Sequence, residues 1–225
     1  MNNFVVSEIN ELEKKMAGYQ FLLNYRYKNL CVKADPMALL SVIVNINGED
    51  KEIEDVADMS TPDDYHFEIL PKMTNSLEEI NTGILSYHPE FKPSTEQMEE
   101  DDPDTQYLVY EMPEVDKDRR DFLTEAAKSL HKECKARIDE IQIEATANFS
   151  ELFSTNPESL KETKDAISDK HDEAIDAIDD LLEKKLQEID EAYAHYLEER
   201  QEQESVEQEE DNFDFTKGMR QESDE

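Results

Sequence analysis

The chain has 225 residues, with 23 Lys or Arg against 58 Asp or Glu, for a formal net charge of -35 at pH 7. Acid in this excess repels nucleic-acid phosphates at long range unless the few bases cluster. No apolar run approaches the roughly 18 residues of a membrane-spanning helix, and the segment Met1–Val6 has neither the basic flank nor the apolar stretch of a signal peptide.

The first pattern covers residues 4 to 30. Val5, Ile9, Leu12, Met16, Tyr19, Leu23, Arg26 and Leu30 follow one another in steps of four and three, the mark of a helix with one buried seam. Asp35-Pro36 stops it. The texture then changes. Leu39 to Ile46 is short and β-branched and is expected to be a strand. Asn47-Gly48-Glu49-Asp50 is a turn. Ile53 to Met59 is expected to be a short extended or loose segment. Thr61 to Asp64 turns again, and Tyr65 to Leu70 alternates as a strand does. Thr74 to Ser86 reads as a helix with Leu77, Ile80, Ile84 and Leu85 inward. Pro89 to Pro103 is polar and proline-bounded, so a loop is expected. Gln106 to Met112 is a last strand.

Two long helical patterns follow. The first places Leu123, Ala127, Leu130, Cys134, Ile138, Ile141, Ala145 and Leu152 on one face. A break falls at Ser154 to Ser159, where Pro157 suits an early helix position. The second uses Ile167, Ala174, Ile175, Ile178, Leu182, Ile189, Ala192, Tyr193 and Tyr196. Each is roughly forty residues, or about 60 Å at 1.5 Å per residue. Each has one narrow apolar stripe that must be buried against other helices. Glu198 to Asp211 holds eight acids and one arginine. It has no stripe and reads as a solvated helical extension or a disordered tail. Phe213-Asp214-Phe215 is a short aromatic spot within it.

Catalytic patterns are missing from the sequence. Four glycines leave no room for a glycine-rich phosphate loop. His66, His88, His131, His171 and His195 are scattered without metal-ligand spacing. Cys31 and Cys134 fit buried thiols in a reducing compartment better than a disulfide. Positive charge concentrates in Lys117, Arg119, Arg120, Lys128, Lys132, Lys135 and Arg137. Six acids lie between Glu114 and Arg137, so the plain reading is a helix laced with local ion pairs. The alternative is an edge that contacts RNA or a protein partner.

A helix, an inserted α/β unit and two long helices resemble the ribosome recycling factor family over about residues 10 to 197. Met112-Pro113, then Asp118-Arg119-Arg120 and Leu123-Thr124, is similar to the family's Leu-Pro…Glu-Arg-Arg-Lys-x-Leu-Thr and is the most specific match. Lys33-Ala34-Asp35-Pro36 with Leu39 resembles its Arg-Ala-Ser-Pro-x-Leu. Val44 to Gly48, Ile53, Val56-Ala57 and Tyr65 to Ile69 resemble its first strands. The resemblance implies an α+β, L-shaped protein. A long antiparallel three-helix bundle (residues 1–34 and 113–200) would carry a small β/α/β domain inserted after the first helix (residues 35–112). An acidic, disordered tail would follow at 201–225. Short links at 31–36 and 112–114 suit a hinge, limited in range by Pro36 and Pro113.

The resemblance also implies a function. A cytoplasmic monomer without catalytic residues or cofactor would bind the post-termination ribosome through large-subunit RNA. With elongation factor G it would promote subunit release. Lys33, Arg119, Arg120, Lys128, Lys132, Lys135 and Arg137 are the RNA-binding candidates. The chain departs from the family's helix-two cluster Arg-x-x-x-Arg-x-x-Arg-Arg-Asp-Ala, where it has Lys135, Asp139, Gln142, Ile143, Glu144 and Ala145. Where the family has Arg-Thr-Gly-Arg at the end of helix one, it has Leu30-Cys31-Val32-Lys33. The second reading is therefore a divergent acidic paralogue that lost the RNA contacts and acts as a protein-interaction module, its tail seeking a basic partner.

Overall fold

The computed structural model describes residues 3–97 and 106–221, with side chains through residue 202. Part of the loop expected at 89–103 therefore lies outside the described residues, as do the side chains of Phe213 and Phe215.

Three long helices carry the structure. Helix α1 runs Asn3–Lys28, α4 runs Lys117–Leu152 and α5 runs Pro157–Gln221. The predicted seams meet in one core. Val5, Ile9, Leu12, Met16 and Leu23 of α1 pack with Leu123, Ala127, Cys134 and Ile138 of α4 and with Ile167, Ala174, Ile178 and Ile189 of α5. Cross-links set the directions. The Tyr27 hydroxyl donates to the Ala127 carbonyl at 3.2 Å, and the Cys134 thiol reaches the Tyr19 carbonyl at 3.5 Å. Later residues of α1 thus meet earlier ones of α4, which makes the pair antiparallel. Helix α5 returns along α4, with His131 Nε2 2.6 Å from Asp179 and His171 Nε2 2.8 Å from Asp139. Arg26, the one charge in the first seam, donates to Glu133 at 2.8 Å. Leu152 departs from its predicted burial and is exposed at the end of α4.

Of the two readings of the acidic end, a helical extension or a disordered tail from residue 201, the structure has the helix, since α5 continues through Gln221. Its residues explain that locally. Glu, Gln, Arg and Lys dominate a stretch with no proline after Pro157, and such residues propagate a helix without a packed face.

A second core fills the inserted unit, built on Leu39, Val44, Ile53, Phe67, Ile69, Ile80, Ile84, Leu108 and Tyr110. A hairpin of β1 (Ile43–Ile46) and β2 (Glu49–Glu52) stands beside a four-stranded antiparallel sheet. That sheet has the order β3 (Ala57–Ser60), β4 (His66–Pro71), β6 (Gln106–Glu111), β5 (Lys92–Gln97). Helix α3 (Leu77–Tyr87) lies against β1 so closely that a Cβ on Gly83 would sit 3.0 Å from Val44 Cγ2. The hairpin turns on Asn47 and Gly48, with φ of 55° and 88°. An Asn-Gly pair is the favoured two-residue turn for right-twisted strands.

Three expectations for this unit need correction. The strand predicted over Leu39 to Ile46 is confined to β1. A short 3-10 turn at Pro36–Ala38 precedes it, capped by Asp35, whose side chain accepts from Met37 N. The segment Ile53 to Met59 is not loose; Ile53–Val56 forms one helical turn (α2) and Ala57–Ser60 pairs with β4. Within the predicted loop at 89–103, Lys92–Gln97 is a strand paired along its length with β6. Every residue of β5 is exposed, so it shows no apolar alternation. Pro93 fits it only because it lies at the sheet edge. Among the described residues no helix is long and apolar enough to cross a membrane.

Candidate functional site

Helix α4 carries most of the candidate bases, and its cap sets where they point. Asp116 accepts from the Arg119 backbone N–H at 2.8 Å and starts the helix immediately after Val115, which is buried in the bundle core. At about 100° per residue, Lys117, Lys128, Lys132 and Lys135 then fall on one outward stripe, away from the face formed by Leu123, Ala127, Cys134 and Ile138. All four are exposed. Among the described residues, Lys117, Lys132 and Lys135 have no ion-pair partner, while Lys128 reaches Glu125 at 3.3 Å. An exposed pair of that kind contributes under about 1 kcal/mol and releases its lysine readily.

The other candidates face elsewhere. Arg119 turns into the joint between the two cores. Its Nη2 donates to the Cys31 carbonyl at 3.3 Å, its Nε is buried without a hydrogen-bond partner, and burial lowers its pKa. It is a tie between α4 and the end of α1. Arg120 lies against α5, where its Nε donates to Asp190 at 2.8 Å and its guanidinium sits 5.1 Å over the Tyr193 ring. Lys33 pairs with Asp64 at 2.8 Å, which holds its pKa above the ordinary lysine value. Arg137 faces the α1 side and donates to Glu140 at 3.0 Å. The seven candidates therefore do not form one patch.

The stripe continues past Lys135 through Asp139 to Ile143. Asp139 is engaged with His171, and Ile143 is 67% exposed. Phe122, on the neighbouring stripe, is 70% exposed. Sequence reasoning treated neither as a contact residue. The available signal was that both are large apolar residues out of step with the seam.

The joint itself is tightly connected. Cys31 is buried in the small-unit core and the adjacent Val32 in the bundle core. Ala34 N donates to the Asp64 carbonyl at 2.7 Å, and Met112 N to the Tyr65 carbonyl at 2.8 Å. The Tyr65 ring lies 4.8 Å from the His195 ring of α5. Lys185 of α5 is only 4% exposed beside this joint, and burial lowers its pKa despite Glu188 at 3.2 Å. Among the described residues, the group able to hold a metal ion is Cys31, His88 and Glu90, also at the joint.

The sequence matches the family model described as "Ribosome recycling factor" over residues 26–189. A solution structure of the ribosome recycling factor aligns with 20% identity and a TM-score of 0.66, covering 84% of this chain and 98% of that one. A second match comes from models for the T. thermophilus ribosome recycling factor and the E. coli elongation factor G bound to the E. coli post-termination complex. It aligns with 24% identity and a TM-score of 0.53, covering 80% of this chain and 98% of that one. No curated protein matches the sequence.

Proposed function

The chain belongs to the ribosome recycling factor family, and we propose from that premise that it binds the ribosome left after termination. With elongation factor G it would promote release of the subunits. The carrying observation is the family match over residues 26–189, which takes in the whole inserted unit and most of the bundle. The bundle and the inserted unit act by shape and binding rather than by catalysis, and the work is done in the cytoplasm.

The ribosomal RNA contact would be the outward stripe of α4. Lys117, Lys128, Lys132 and Lys135 have side chains available to phosphate. Arg119, Arg120 and Lys33 are engaged within the protein. Affinity would therefore come from few charge-assisted contacts, each worth about 1.5–3 kcal/mol. Exposed Ile143 and Phe122 would supply apolar contact beside them.

One observation favours the second reading, an acidic paralogue that docks on proteins. Asp139, bridged to His171, stands where the family has an arginine. Ribosome co-sedimentation across a salt series separates the two readings. It is run with the full chain and with a chain ending at Leu197. Salt-sensitive binding by both supports the RNA-facing stripe. Binding only by the full chain moves the interaction to the acidic end of α5. No binding by either rejects the recycling function.

A further inference from the structure

Three metal-ligating side chains from two elements converge where the two cores meet. Cys31 follows the end of α1, and His88 and Glu90 follow the end of α3. His88 Nδ1 lies 3.6 Å from Cys31 Sγ and 3.5 Å from Glu90 Oε1. All three ligand atoms lie within 4.8 Å of one another. Around a tetrahedral zinc ion, with a Zn–S bond near 2.3 Å and Zn–N and Zn–O bonds near 2.0–2.1 Å, neighbouring ligand atoms stand about 3.3–3.6 Å apart. The two measured separations are edges of such a tetrahedron. Glu90 is partly exposed, so its carboxylate can rotate to close the third edge.

The histidine is already oriented for the task. Its Nε2 lies 3.2 Å from the Ala38 carbonyl. A carbonyl only accepts, so Nε2 carries the proton and donates it there. Nδ1 faces Cys31 and Glu90, and in the neutral ring it is the nitrogen that carries the lone pair. A ring nitrogen directed by a carbonyl on its far side is the usual arrangement of a metal-bound histidine. Phe91 stacks on the ring at 4.8 Å and 8°, and His88 is buried, so the ring cannot easily turn away. Cys31 is held by a left-handed backbone, with φ of 48°, a conformation glycine adopts at less cost.

We propose that Cys31, His88 and Glu90 bind a divalent transition-metal ion of the zinc class, with water in the fourth position. On binding, the Cys31 thiol releases its proton to solvent and its sulfur forms the metal bond. Thiolate and carboxylate then balance the two positive charges, so the complex is neutral. Burial and the neighbouring Glu90 push the Cys31 thiol up to about 12, so its proton leaves only as the metal–sulfur bond forms, and a neutral complex suits the buried sulfur. The ion would tie the end of α1 to the end of α3 and so fasten the inserted unit to the bundle. This site is independent of the ribosomal reading.

The test uses the full chain, reduced and stripped with a chelator, titrated with Co²⁺ and then Zn²⁺. One equivalent of Co²⁺ is expected to give a thiolate-to-cobalt charge-transfer band in the near ultraviolet, with tetrahedral bands in the visible, and Zn²⁺ to displace it. Cys31→Ala is expected to abolish the band and Cys134→Ala to keep it. Glu90→Gln, at a partly exposed position that leaves the core intact, should weaken Co²⁺ binding by more than the roughly 10–100-fold that an outer hydrogen-bond partner costs. Zn²⁺ should raise the melting temperature of the unmodified chain and of Cys134→Ala, but not of Cys31→Ala. The proposal is overturned by a missing charge-transfer band, or by a band that survives Cys31→Ala. It is equally overturned if Glu90→Gln binds Co²⁺ as tightly as the unmodified chain. Should Cys31→Ala fail to fold, as judged by circular dichroism, the Glu90→Gln titration decides.

Discussion

Replacing Lys132 and Lys135 together with glutamine tests the proposed RNA contact. From Lys117 to Lys135 the outward stripe spans about 27 Å of helix at 1.5 Å per residue. Its four lysines bound the number of phosphates that the stripe can neutralise. Each neutralised phosphate adds about 0.7–0.9 to the negative slope of log affinity against log salt. Four contacts give a slope of about -3, so raising salt fourfold weakens ribosome binding by roughly two orders of magnitude. The double variant should bind with a slope of about -1.5 and lose affinity most at low salt. Arg120→Gln is the control. Its guanidinium is held by Asp190 and lies over Tyr193, so the slope should not move. The assay is co-sedimentation with ribosomes from 50 to 200 mM salt (a range of about fourfold, chosen for the sensitivity of such slopes). An unchanged slope in the double variant would refute the assignment of the stripe. So would a slope that Arg120→Gln reduces as strongly.

Three further outcomes rest on packing and burial. Ile138→Ala removes a fully buried side chain from the bundle core. It should cost about 2–5 kcal/mol in urea unfolding; a loss under half a kcal/mol, roughly the size of a surface change, would mean the bundle is not packed as described. Gly83→Ala puts a Cβ 3.0 Å from Val44 Cγ2 and 3.2 Å from the Ile43 carbonyl oxygen. Overpacking outweighs the gain in helix propensity, so a net loss of about 1 kcal/mol is expected, and an unchanged or higher urea midpoint would show that α3 does not press on β1. Tyr27 is buried, and burial holds its hydroxyl protonated well above the ordinary tyrosine range. Its folded pKa exceeds its unfolded one, so its stabilisation is complete below about pH 10 and is lost as pH rises further, by up to about 1.4 kcal/mol per pH unit. Tyr27→Phe should flatten the alkaline limb of stability against pH by one proton; a limb of unchanged steepness would place Tyr27 in contact with water.

The long helices were legible because helix periodicity is local. Val5 to Leu23, Leu123 to Ile138 and Ile167 to Ile189 each announce a buried stripe within their own segment, and Pro157 marks the break between the last two. The Asn47-Gly48 turn was legible for the same reason, since two adjacent residues fix its backbone. Strand β5 was not. All of its side chains are exposed, and its hydrogen bonds come from β6, so nothing within Lys92–Gln97 records the pairing. The long C-terminal helix was ambiguous because its acidic stretch carries no stripe for a partner to read. For the candidate site, the sequence supplied the bases and their spacing along α4. It could not assign them their tasks. Whether an arginine is free to meet phosphate depends on whether an acid or a carbonyl stands opposite. For Arg119 that group is Cys31, 88 residues away, and for Arg120 it is Asp190, 70 residues away. Cys31 and His88 likewise meet across 57 residues. Segments so far apart are brought together only by burial of the two cores, so the chain's own pattern determined the helices and the packing between them decided which charges remain available.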